Sequence, residues 1–315
     1  SSVPGAELLG QRQEQFLQDW ADDWTGNVWM KVVLSQTPFA NVATIPAEAT
    51  NGSVIPGLPN PLPGEYLTGY KKAADHDSGG WPQIPRDRAV VSMRRAFAVH
   101  IAGDQHLGTV LQYGVDEFRD GGYVFTVPSI ANIWPRRWFP PEPGANRAAG
   151  SQPYSGDHLD GFGNRMTVWA VANPVDAGVE PKALYDRTPG LGIIKLDPKS
   201  RQVVFEAWPR WTDPEEVDAP QYSDWPVTFG QQENYGRSRA GYLPMVDLPG
   251  SRLPVVRVDD ENTGEWLYTI RADSSHFRPW VFDPSHTYRV RVTDPDADLE
   301  RVLESVSVEG LPDLR

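Results

Sequence analysis

Cysteine is absent from the 315 residues. That absence excludes disulfides, all-thiolate zinc sites and cysteine nucleophiles, and it suits a cytoplasmic and an exported protein alike. No apolar run approaches the ~20 residues of a membrane span. Basic residues are outnumbered, 29 Lys and Arg against 42 Asp and Glu, for a formal charge of -13. The basic footprint that nucleic-acid binding needs is therefore missing. An anionic ligand would have to be attracted locally, by metal ions or a few arginines, because the overall field repels it. The chain is rich instead in 12 Trp, 30 Pro and 28 Gly. The aromatics supply material for real cores, and the Pro and Gly point to strands joined by long irregular loops. At this length about two domains are expected.

Periodicity places the first helix over 7–24, where Leu9, Phe16, Leu17, Trp20 and Trp24 form one stripe. The apolar run Val28–Leu34 reads as a strand stopped before Pro38. Residues 39–81 are too long for a plain connection, and loops of that kind are usually functional or disordered. A second helix is expected over 86–96, followed by a buried strand over 97–102. Helix, strand, loop, helix, strand is α/β alternation. Further strands are expected at 123–127, 165–172, 192–196 and 203–208, the last two as a hairpin turning on Asp197-Pro198-Lys199-Ser200. From about 253 the pattern becomes four short alternating strands, the signature of a small β-sandwich. The expected division is a body over 1–250 and an accessory β-sandwich over 251–315.

The sharpest chemical signal is Gly103-Asp104-Gln105-His106, directly after the strand 97–102. A glycine lets the chain turn at the C-terminal end of a rigid strand. Asp104 and His106, two apart, then project together into the crevice where α/β sheets bind ligands. A carboxylate beside an imidazole suits a hard or borderline cation such as iron, manganese or zinc. The bland alternative is a turn aspartate next to a surface histidine.

The run Ala96-Phe97-Ala98-Val99-His100-Ile101-Ala102-Gly103-Asp104-Gln105-His106-Leu107-Gly108 resembles the last metal motif of alkaline phosphatase D-type (PhoD-like) members of the calcineurin-like metallophosphoesterases. Its neighbours are similar to that family in the same order. They are Leu9-Gly10-Gln11-Arg12-Gln13 through Trp20, Lys31 through Phe39, and Asp77 to Trp81 with Arg86-Asp87-Arg88. Asp160 through Asn164 and Ala170 through Pro174 are similar to one subgroup. The resemblance spans roughly residues 7–215. It implies the second half of a four-layer α/β/β/α sandwich, with Asp104 and His106 as ligands to metal ions, iron and calcium foremost and manganese or zinc as alternatives. Those metals would polarise a phosphate ester and generate a hydroxide nucleophile. The resemblance also implies hydrolysis of phosphate mono- or diesters and export to the periplasm or beyond. The family's earlier metal motifs would precede this region. Two ligands do not hold a catalytic metal, since open sites usually use three from the protein. The resemblance therefore implies that the N-terminal half of the enzyme is a separate chain.

Lesser candidates surround this pair. His76 and Asp77 sit in the long loop and are candidates to approach the site. His100 alternates with Val99 and Ile101 and reads as a satisfied core histidine, with a pocket role as the alternative. Arg136 and Arg137, among Trp134, Trp138 and Phe139, are candidates to bind phosphate through a guanidinium fork or to stack on the aromatics. Gly156-Asp157-His158-Leu159-Asp160 mimics an earlier family motif but comes too late in the chain, and reads as a decoy loop. Asp294, Asp296 and Asp298 read as a surface turn, lacking the Gly and distal Glu of a calcium loop. No G-x-S-x-G elbow supports a serine hydrolase. The rival reading is a catalytically inactive binding or scaffold subunit with a Trp-rich surface for carbohydrate or a protein.

Overall fold

The computed structural model describes residues 4–50, 55, 57–77, 79 and 81–310. It is a mixed α/β structure in which strands predominate and helices are few. The helix Gln11–Asp22 starts after Gly10, whose N–H is met by the Gln13 side chain at 3.4 Å. It begins later than the apolar stripe suggests because Leu8 and Leu9 pack on the core outside the helix. Its C-terminal carbonyls, of Trp20 and Asp23, accept from the Lys31 ammonium, which also lies 4.8 and 5.0 Å from the Trp20 and Trp24 rings. Burial lowers the Lys31 pKa to about 8, and the nearby Asp23 and Asp22 oppose that shift.

The body is built on a six-stranded sheet. Val32–Ser35, Val99–Ala102 and Tyr123–Thr126 run parallel in that order. Thr109–Tyr113, Arg165–Val171 and Gly156–Leu159 continue it antiparallel. Alternation sends successive side chains to opposite faces. On one face Leu111, Val124, Met166 and Val168 pack against Ala89, Val90 and Met93 of the helix Gln83–Arg95. On the other, Val99, Val110, Phe125 and Ala170 meet Val203, Phe205 and Phe229 of a second, three-stranded sheet. That sheet is the hairpin Gly190–Leu196 and Gln202–Pro209 with Val227–Gly230 added to its outer edge. The layers touch so closely at Gly192 that a Cβ there would lie 2.8 Å from the Phe125 ring and the Val127 side chain.

Two strands of the six-stranded sheet depart from the sequence reading. Thr109–Tyr113, a short run between Gly108 and Gly114 that the sequence reading did not assign, lies inside the sheet. Gly156–Leu159, read as a loop, is the antiparallel edge strand; pairing with Arg165–Val171 supplies order that the local pattern does not reveal.

The C-terminal region forms a four-stranded antiparallel sheet, ordered Trp266–Arg271, Val255–Asp260, Tyr288–Asp294, Leu299–Val306. Two short ribbons, Gly241–Tyr242 with Trp280–Val281 and Val246–Asp247 with His276–Phe277, share its core. The unit therefore recruits residues upstream of 251, with Leu243, Val246 and Leu248 buried in it. The body inserts Phe97 into the same core, its ring centroid 5.5 Å from Tyr268 and 5.9 Å from Trp280. Charge-assisted bonds seal the contact. Asp22 receives Arg257 at 3.0 Å and Arg291 at 3.2 Å, and Arg271 donates to the Val28 carbonyl at 2.7 Å.

Candidate functional site

At the end of Val99–Ala102 the chain turns through Gly103 to Leu107, and alternate residues take opposite roles. Gln105 and Leu107 point inward and are buried. The Gln105 amide donates to the Val42 carbonyl at 3.1 Å, and its own N–H closes a tight turn onto the Gly103 carbonyl at 2.6 Å. Asp104 and His106 project outward. Both sit in the left-handed region, at φ 51° and 53°, which costs an L-residue roughly 1–2 kcal/mol. Two neighbouring side chains held this way mark a turn whose shape is imposed by its anchors.

The two outward groups converge. His106 Nε2 stands 3.7 Å from Asp104 Oδ1. The second oxygen of Asp104 accepts from Gln36 Nε2 at 2.7 Å, and His106 Nδ1 is 3.2 Å from the Trp134 carbonyl. A bond to a carbonyl requires the proton on Nδ1, which leaves Nε2 as the lone-pair nitrogen in the neutral ring. One carboxylate oxygen and one ring nitrogen thus face each other. Two donors ~2.1 Å from one ion at a tetrahedral angle would be roughly 3.4 Å apart, so the pair fits as two corners of a metal site. It is still incomplete. Among the described residues no group of three or more His, Cys, Asp or Glu could hold a metal ion.

Beneath the turn lies Arg136, buried and fully engaged. It donates to Asp75 at 2.7 Å, to Asp77 at 3.2 Å, and to the carbonyls of Gln105 and Asp104 at 3.2 and 3.4 Å. It clamps the 75–77 loop to the turn at 103–107 and presents no free fork. Asp77 is therefore one guanidinium away from the Asp104 backbone. His76 is exposed and stacks edge-on against Phe162 at 5.0 Å. Arg137 points elsewhere, to the carbonyls of Pro59 and Leu58 at 2.6 and 3.1 Å, to Asn60 and to the Tyr70 hydroxyl.

His100 is a core residue. Its Nε2 lies 2.7 Å from the Ser35 hydroxyl and its Nδ1 2.8 Å from the Tyr113 hydroxyl. Burial drives its pKa down to about 3, so it is neutral and does not line the turn where Asp104 and His106 project. Burial likewise lowers His158 to about 4. The carboxylates around His158 are taken up by the fold. Asp157 accepts from Arg119, Asn146 and Thr167, and Asp160 from the backbone N–H groups of Asn41, Phe162 and Asn164 and from the Asn164 amide. Asp296 serves as an anchor, receiving Gly26 and Asn27 N–H groups at 2.7 and 3.0 Å.

Three contributors were not singled out in the sequence. Gln36 orients Asp104, the Trp134 carbonyl orients His106, and Asn132 bridges the carbonyls of His106 and Arg187 at 3.0 and 2.8 Å. Gln36 alone carried a signal, because parallel neighbouring strands end at the same rim and it directly follows Val32–Ser35. Exposed apolar side chains lie close by in the chain to Gln36 and to the Trp134 carbonyl. Leu34 is 74% exposed, Ile133 65% and Trp134 51%. Leu34 belongs to Val32–Ser35, a parallel strand that among the described residues pairs only with Val99–Ala102. Comparison of the chain with protein families, with characterised proteins and with solved structures finds no match.

Proposed function

We propose that this chain is one part of a metal-dependent phosphoesterase of the alkaline phosphatase D type, contributing Asp104 and His106 to a shared metal site. The observation that carries the reading is the 3.7 Å convergence of Asp104 Oδ1 and His106 Nε2 on a left-handed turn at the rim of the central sheet. Because this chain supplies two donors, the reading requires further ligands from another polypeptide or segment. Iron and calcium are the ions proposed, and a bound metal would supply Lewis-acid chemistry to a phosphate mono- or diester. This chain's own residues have narrower tasks. Gln36 and the Trp134 carbonyl hold the two donors in register, and Arg136 fixes the turn from below. The second layer of the body, its three-stranded sheet, is consistent with half of a four-layer sandwich. The single-partnered parallel strand carrying exposed Leu34 supports a companion at that edge, since an open strand edge is ordinarily paired, covered or blunted.

The test is purification of the native assembly, with metal analysis and turnover of p-nitrophenyl phosphate and bis-p-nitrophenyl phosphate. A second polypeptide should accompany the chain, and His106→Ala should lose both bound metal and turnover, by about a hundredfold or more in rate. A metal-free, single-chain particle whose behaviour His106→Ala leaves unchanged would overturn the proposal.

A further inference from the structure

Away from the Asp104–His106 pair, a groove of about 420 Å³ opens between the 61–66 segment, the end of Arg165–Val171 and the 209–223 loop. That volume falls within the ~300–1,000 Å³ of small-ligand pockets. Its walls are aromatic and their positions are fixed. Tyr66 donates its hydroxyl to the Pro140 carbonyl at 2.7 Å, Tyr154 to Asp224 at 2.9 Å and Tyr222 to the Pro189 carbonyl at 2.8 Å. With those hydroxyls engaged, the rings are what these residues contribute to the lining. Trp211, 41% exposed, leans on Tyr185 at 4.5 Å and meets Tyr222 edge-on at 6.5 Å.

The charge pattern narrows the ligand. In a chain with 23% charged residues, Glu65 is the only charged side chain among the described residues lining the groove. No cation is there to meet phosphate or carboxylate. The polar groups with amides to offer are Gln221, whose Oε1 accepts the Ala207 N–H at 3.2 Å so that its Nε2 is left to donate, and Gln152; the Asn173 amide is engaged by the Trp138 backbone, the Thr188 hydroxyl donates to the Ala172 carbonyl, and Ser223 adds a hydroxyl. Rings for C–H surfaces, amides for hydroxyls and the lack of positive charge together match one chemistry.

We infer that this groove binds a neutral saccharide, stacked on Trp211 and hydrogen bonded by Gln221 and Gln152. Locked rings favour binding because little order is lost when the ligand arrives, and nothing in the inference requires a metal. The nearest rival occupant, a proline-rich peptide, also uses aromatic-lined grooves but has less need of two amides.

Isothermal titration and saturation-transfer NMR of the whole chain with a panel of disaccharides, including cellobiose, maltose and chitobiose, tests it. At least one should bind saturably. Trp211→Ala should weaken binding about tenfold or more, Gln221→Ala by a smaller factor, and Trp211→Phe should retain most of it. Far-UV circular dichroism of each variant reports that the fold is kept. Three results would overturn the inference: no saturable binding by any disaccharide, equal binding by Trp211→Ala, or occupancy of the groove by a proline-rich peptide while every sugar fails.

Discussion

Replacing Asp104 and His106 together by glycine should stabilise the protein relative to replacing them together by alanine. In an ordinary backbone the order is the reverse, because glycine loses about 0.5–1 kcal/mol more conformational freedom on folding. Here both residues sit near φ +50°, where a Cβ costs roughly 1–2 kcal/mol. The side-chain bonds to Gln36 and the Trp134 carbonyl vanish in both pairs, so they cancel in the comparison. What remains, taking the middle of each range, is a net advantage for glycine of roughly 0.75 kcal/mol at each position, about 1.5 kcal/mol for the pair. Urea unfolding followed by tryptophan fluorescence and far-UV circular dichroism measures it. Neither pair should retain metal in the assembled protein. An alanine pair as stable as the glycine pair, or more so, would refute the left-handed turn and with it the convergence of the two donors. An alanine pair less stable than the glycine pair is what a backbone strained at this turn predicts.

Two further outcomes follow from buried charge. His100 and His158 have folded pKa values of about 3 and about 4, below the ordinary 6.5. The unfolded chain therefore takes up protons below pH 6.5 that the folded chain refuses, so stability rises with pH through this window and falls on acidification. Each histidine should cost about 3 kcal/mol by pH 4, and a urea midpoint that stays flat between neutral pH and that point contradicts their burial as neutral rings. Arg136→Ala strips the buried Asp75 of its guanidinium and frees the carbonyls of Asp104 and Gln105. The loss should be about 3 kcal/mol or more, with Arg136→Lys a poor substitute because an ammonium cannot serve several acceptors as a planar fork does; a loss below about 1 kcal/mol argues against the clamp.

Much of the architecture was legible in the sequence because it is local. Apolar spacing marked the two long helices to within a few residues, and the hairpin at 197–200 follows from its turn residues and flanking alternation. The strand 99–102 ending in Gly103 could be read for the same reason, and with it the outward pair at 104 and 106. The accessory sheet was visible as four alternating strands. Its ribbons at 241–247 were not, since two-residue strands have no period to detect.

Local spacing was enough to mark the longer helices and most of the longer strands, and to put Asp104 and His106 on one turn. The tertiary structure alone decided what those groups touch. Gln36 reaches Asp104 across 68 positions of chain and the Trp134 carbonyl reaches His106 across 28. The same folding turned Arg136 inward as a clamp, made His100 a core residue and put the acidic residues at 157 and 160 to use as backbone and side-chain anchors. Local spacing encodes periodicity, whereas partners distant in the chain meet only when the sheet has set its register, and it is those partners that fix each group's orientation and charge.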